Sequence, residues 1–234
     1  MNETSASPAE AQPRPILVWD APVRVFHALM VLAFAGAWLT AESERWRLLH
    51  VTLGWTMLGL VAFRIAWGLL GTRHARFSSF VRGPQAVKDY LRSLLQGKPQ
   101  HHTGHNPAAA LAIIAMLSLT AVVAASGWAA LTGSDTWGEM HELAAGVMLA
   151  LVGVHVAAVL LSSWLHRENL IGAMITGRKL GSPQDGVRRA WQGLALALVV
   201  SVLGFWWLQW QSAPAGTNWA LGSTATAAHA DDDD

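Results

Sequence analysis

Four of the ten histidines stand in or beside long apolar stretches: His27, His50, His141 and His155. An imidazole in hydrocarbon needs a polar partner, so a group of this kind is a candidate for function. The simplest partner would be a neighbouring helix, with each ring making only a helix–helix hydrogen bond. Spacing argues for more. His141 and His155 are 14 residues apart on one predicted helix. At 1.5 Å and 100° per residue, they differ by about 21 Å in height and about 40° in direction. Two rings leaving nearly one face at two depths suit two stacked cofactors, since no single metal could reach both. Each cofactor then needs a second ligand from another helix.

Depth supplies the second ligands. The second and fourth predicted spans run in the same direction, with His50 and His141 both at their outer ends. His27 lies near the inner end of the first span, toward His155. The expected pairs are His50 with His141 and His27 with His155. Arg64 follows His50 by 14 residues and so belongs near the depth of His155. A lone arginine there costs roughly 2.5–3.5 kcal/mol and calls for an anion, yet no span carries an acid at that depth. A haem propionate would accept two of its N–H groups. Arg24, one turn before His27, could do the same from the interface. Snorkelling to the surface is the alternative for Arg64. Gly54, Gly59, Gly146 and Gly153 offer room for a flat macrocycle or, equally, for close helix packing.

The elements that must position these residues are membrane helices. The chain of 234 residues is 53% apolar and only 13% charged, about half the charged share of a soluble protein. It has no cysteine, which excludes disulfides, thiol catalysis and covalent CxxCH haem attachment. Five stretches approach the roughly 20 residues that cross a bilayer: Val25–Ala41, Val51–Leu70, Ala108–Leu131, His141–Leu165 and Trp191–Trp210. The first apolar run begins too late to read as a signal peptide. The loop at 71–106 holds Arg73, Arg76, Arg82, Lys88, Arg92 and Lys98 against Asp89, and residues 166–190 add five more bases. The Thr132–Met140 loop carries only Asp135 and Glu139. Positive-inside bias places the N-terminus and the basic loops in the cytoplasm and the C-terminus in the periplasm. Tryptophans 19, 46, 137, 164, 191 and 210 fall near span ends, as an aromatic belt would.

Outside the spans, residues 1–15 read as a disordered leader. After Pro84, Val87, Leu91, Leu94 and Leu95 recur at helical spacing, which predicts a short amphipathic helix, either on the membrane surface or as a packed connector. His101, His102 and His105 form an HHxxxH run, read as solvated loop in preference to a metal site. His74 and His166 take span ends. His229 precedes the acidic run Asp231–Asp234 in the tail at 211–234, which could steer a basic redox partner or be a solvated end.

Several motifs in order then match a known family. Val18–His27 (VWDAPVRVFH), Phe63–Gly68 (FRIAWG), His74–Pro84 (HARFSSFVRGP), Gly104–Pro107 (GHNP), His141–Glu142 and Arg167–Lys179 (RENLIGAMITGRK) resemble the bacterial di-haem cytochrome b family. This cytochrome b561-like group includes the b-type subunits of nickel–iron hydrogenases. The resemblance covers about Ile16 to Lys179. It implies a four-helix core with two non-covalent b haems, held by histidines of spans one, two and four, here His27, His50, His141 and His155. Ala28 follows Phe26–His27, where the family often has tryptophan. The linker and fifth helix at 180–210, and the tail, fall outside the resemblance.

The expected protein is an all-α integral membrane protein of the bacterial inner membrane, with a four-helix haem-binding bundle (16–179) plus a fifth helix. It would move electrons between the quinone pool and a periplasmic partner, a c-type cytochrome or a hydrogenase-like enzyme. Six-coordinate irons would leave no open position for oxygen chemistry. Two other classes differ from this. A self-contained oxidoreductase would pass electrons from superoxide or another small reductant to quinone. A non-haem membrane anchor would use its histidines only to bridge helices. Lipid is an expected partner and nucleic acid is not.

Overall fold

The computed structural model describes residues 14–81, 83–96, 104–131, 133 and 135–213. Most of the leader, His101, His102, His229 and the acidic run lie outside them. Five helices are long and apolar enough to span a bilayer: α1 (Ala21–Thr40), α2 (Arg47–Leu70), α5 (Pro107–Ala130), α6 (Asp135–His166) and α8 (Gln192–Gln211). Three short helices lie between them, α3 (Phe77–Phe80), α4 (Pro84–Leu95) and α7 (Leu170–Thr176). The all-helical bundle with a fifth spanning helix is therefore as expected.

Local chemistry sets the helix starts. Asp20 caps α1 by accepting from Val23 N at 2.9 Å, with Pro22 in the first turn. Asn106 caps α5 by accepting from Ala109 N at 2.7 Å, ahead of Pro107. A side-chain oxygen satisfies one of the amides a helix start leaves free, and proline has no amide to lose there. For α1 the cap lies before the apolar run, so the helix begins at Ala21 and not Val25. The fourth span corrects the sequence reading more. Helix α6 begins at Asp135, so most of the Thr132–Met140 loop is helical and His141 sits in the second turn. An acid in the first turn suits the positive end of the helix dipole. At 32 residues the helix is about 48 Å long, well beyond the hydrocarbon thickness.

Helix α1 packs on α2, α5 on α6, and α2 joins the two pairs by packing on α5. The fifth helix lies against α1 and α2. There Trp206 Nε1 donates to Thr56 Oγ1 at 2.9 Å, and Val202 enters the cluster of Phe26 and Leu60. The core sits on this side: Leu60 is 1% exposed, whereas Leu39 and Leu70 on the outer surfaces exceed 80%. Such faces are at home in lipid, where helices need only satisfy their own backbone groups.

Asp20 ties the start of α1 to the end of α2. It is 1% exposed and also accepts from Trp67 Nε1 (3.0 Å) and Thr72 Oγ1 (2.6 Å). A small antiparallel ribbon pairs β1 (Arg14–Leu17) with β2 (Arg178–Gly181), Leu17 opposite Arg178. The strand starts at Arg14, inside the stretch read as a leader, because pairing with β2 supplies partners that local composition does not reveal. Gly177 makes the approach possible. Its φ is +80°, its carbonyl accepts from Val18 N and Trp19 N, and a Cβ there would lie 2.6 Å from Trp19 O. The amphipathic helix α4 packs against α5, with Tyr90 2% exposed and hydrogen-bonded to Asn106. It is a packed connector.

Candidate cofactor site

His50 is the fourth residue of α2, and His141 stands two turns into α6. Both are half-buried, and their ring centroids are 6.0 Å apart with planes at 83°. Each ring is anchored on its far side. His50 Nδ1 lies 2.9 Å from Ala37 O on α1, and His141 Nδ1 lies 2.9 Å from Val123 O on α5. A carbonyl can only accept, so both Nδ1 atoms carry the proton and both Nε2 lone pairs are free to ligate. Such an anchor fixes tautomer and ring orientation and makes the nitrogen a better metal ligand.

Sequence reading missed one part of this arrangement. The edge of His141 lies directly against Gly127 on α5, where a Cβ would sit 2.9 Å from both Nδ1 and Cε1. A larger residue would push the ring off its carbonyl. The signal was a lone glycine four residues after Val123, and it carries meaning only once α5 and α6 are known to touch.

At the other level, His27 on α1 and His155 on α6 are half-buried electrostatic neighbours. Among the described residues neither ring has a carbonyl anchor of the kind that holds His50 and His141. Arg64 does not snorkel. It is 3% exposed, its guanidinium stands 4.8 Å from the Phe77 ring centroid, and its Nη1 is buried without a hydrogen-bond partner among the described residues. The aromatic face offsets part of its charge, and Asp20 is a counter-charge at longer range. Arg24 Nη1 donates to Ile175 O at 3.1 Å, near the C-terminus of α7, while its Nε is buried and has no partner among the described residues. Both arginines thus keep a spare donor in the interior.

The glycines divide. A Cβ at Gly54, Gly59, Gly146 or Gly153 would meet nothing within 4 Å. At 100° per residue, Gly54 shares the face of His50, whereas Gly59, Gly146 and Gly153 point roughly 120–180° away from the histidines of their helices. Only Gly54 opens space on the histidine face.

His105 corrects the sequence reading. It is not a solvated loop residue: its ring lies 4.4 Å from the Trp19 ring and 4.7 Å from the Phe80 ring, centroid to centroid. Burial, aided by the nearby positive charge of Arg64, pushes its pKa down to about 3. His74 Nε2 is 2.8 Å from Asp185 O.

The residues fit a haem b. A ring nitrogen bonds a transition metal at about 2.0–2.1 Å, so two imidazoles in line across one ion have centroids on the order of 6 Å apart, as His50 and His141 do. The orphaned arginine donors suit carboxylates.

Spanning helices with facing histidines and buried, partly unpaired arginines define a multi-pass membrane protein of the b-type cytochrome class. The chain belongs to the prokaryotic cytochrome b561 family, whose model matches residues 18–177. Family membership implies haem b and electron transfer as the general function. A "Probable Ni/Fe-hydrogenase B-type cytochrome subunit" of Rhizobium leguminosarum bv. viciae is 23% identical, over 77% of this chain and 97% of its own length. Its namesake in Bradyrhizobium diazoefficiens is 25% identical, over 74% and 90%. The one in Azotobacter vinelandii is 22% identical, over 70% and 88%. No solved structure matches the chain.

Proposed function

We propose that the protein is the membrane cytochrome subunit of a periplasmic oxidoreductase and exchanges electrons with the quinone pool through two b haems. His50 and His141 hold the outer haem, and His27 and His155 the inner one. The observation that carries this is the outer pair: two rings 6.0 Å apart, each with Nδ1 tied to a backbone carbonyl and Nε2 free. When bound, each haem would supply a one-electron couple. The protein's part is to fix the imidazoles, exclude water with apolar spans and meet the propionates with Arg64 and Arg24. The names of the relatives favour a hydrogenase as partner over a c-type cytochrome. The bias of basic loops supports a cytoplasmic N-terminus in the inner membrane.

An optical and haem-content measurement tests the reading. The purified protein is expected to hold two haems per chain and to show a b-type α-band on dithionite reduction. His141→Ala is expected to remove about half of the haem. A colourless, folded protein would favour an anchor role, and His141→Ala with full haem would refute the axial assignment. Steady quinone reduction by the isolated protein with a small reductant would point to a self-contained oxidoreductase.

A further inference from the structure

We propose that Thr40 and Ser126 set the reduction potential of the outer haem by sharing the two carbonyls that anchor its axial histidines. The proposal rests on His50 and His141 being those ligands.

Ala37 O accepts His50 Nδ1 at 2.9 Å and also the Thr40 hydroxyl at 3.2 Å. Val123 O accepts His141 Nδ1 at 2.9 Å and also the Ser126 hydroxyl at 3.1 Å. The two arrangements repeat each other on different helices. In both, a hydroxyl three residues on shares its single proton between the histidine's carbonyl and the one before it, the shorter arm going to Gly36 O at 2.8 Å for Thr40 and to Val122 O at 2.9 Å for Ser126. Thr40 is 8% exposed and Ser126 3%, so water does not compete.

Back-bonding to the helix is the ordinary fate of a hydroxyl in a span, and Thr52, Thr56, Thr120 and Ser201 all do it. Each of those four bonds only the carbonyl four residues back. Among the described residues of the spanning helices, Thr40 and Ser126 alone reach a second carbonyl, and each time it is the one a histidine uses. At Ala37 there is a further release: Ala41 N turns to Trp38 O, so the last turn of α1 leaves Ala37 O to these two donors.

The consequence is electronic. A strong Nδ1–H···O bond makes the imidazole more basic and favours ferric iron, lowering the potential. A carbonyl that also accepts a hydroxyl gives less to the imidazole. Thr40 and Ser126 therefore weaken both anchors and hold the outer potential up.

The test is an equilibrium redox titration of the full-length, haem-loaded protein, with haem content and the low-spin EPR signals read in parallel. Thr40→Val and Ser126→Ala keep size and remove the hydroxyl. Each is expected to move one of the two midpoints to more negative values, the double variant further, with the other midpoint and the haem content unchanged. Thr40→Ser and Ser126→Thr are expected to restore the wild-type midpoint. Unmoved midpoints, or a shift to more positive values, at full haem content would overturn the proposal. Should Thr40→Val lose haem, Ser126→Ala carries the same test from the other helix. A His141→Ala protein that retains both haems overturns the axial assignment itself, an outcome separate from an unmoved midpoint.

Discussion

Replacing Gly127 by alanine tests whether the backbone of α5 positions His141. The new Cβ would lie 2.9 Å from Nδ1 and Cε1 of the ring, whereas carbon atoms settle at about 3.5–4.0 Å. The ring must retreat by roughly 0.5–1 Å, which takes its 2.9 Å bond to Val123 O past the about 3.2 Å limit of a good hydrogen bond. The lost bond costs about 0.5–1.5 kcal/mol and the crowding about 1–3 kcal/mol. Alanine returns about 1 kcal/mol of helix propensity. The balance is a penalty of roughly 0.5–3.5 kcal/mol, centred on about 2 kcal/mol or about 30-fold in retention of the outer haem, within the usual 10–100-fold for groups that orient a ligand. The assay is haem per protein after purification, with the reduced spectrum. Gly146→Ala on α6, where a Cβ meets nothing within 4 Å, is the control and is expected to keep both haems. A Gly127→Ala protein with full haem and an unshifted spectrum would refute the reasoning.

Other outcomes follow from the same geometry. Arg64→Met removes the buried guanidinium with its unpartnered Nη1; inner-site haem is expected to fall about 10–100-fold, on the scale of a charge-assisted bond of about 1.5–3 kcal/mol, and retention of both haems would exclude the propionate role. Asp20→Ala strips the cap of α1 and the acceptor of Trp67 and Thr72. It is expected to cost about 3 kcal/mol or more, read as a lower thermal midpoint in detergent; an unchanged midpoint would show that the clamp is not stabilising. His105 should make stability depend on pH. Its pKa falls from 6.5 unfolded to about 3 folded, so between those values the unfolded chain binds the extra proton. Its contribution is full above pH 6.5 and declines as pH drops toward 3. His105→Asn should flatten that part of a thermal-midpoint profile, and an identical profile would count against a neutral ring packed between Trp19 and Phe80.

The errors of the sequence reading have two causes: local signals that lie outside the apolar runs, and long-range partners that are invisible in a window. Apolar runs located the five spans, but α1 starts early under the cap of Asp20 and α6 starts at Asp135, ahead of its apolar run. Arg14 and Pro15 look like leader until β2 is there to pair with them. His105 sits in a basic, hydrophilic stretch, and only the approach of Trp19 and Phe80 encloses it. The expected space beside Gly59, Gly146 and Gly153 is real but faces away from the histidines, a matter of helical phase that residue spacing already contained.

By itself the sequence determined the class of architecture and an order of heights for the histidines along the spans. In hydrocarbon the backbone must bond to itself, so an apolar run becomes a helix and position along the chain becomes height in the membrane. That is why His141 and His155 could be assigned two levels, and Arg64 the lower one. The tertiary structure decided everything that depends on how helices turn about their axes and which backbones touch. It set the 6.0 Å approach of His50 to His141, the Ala37 and Val123 carbonyls behind them, the closeness of Gly127, and the seat of the fifth helix through Trp206 and Thr56. Depth is a one-dimensional quantity that spacing encodes. Rotation and contact arise between helices distant in sequence, and side-chain packing at their seams selects them.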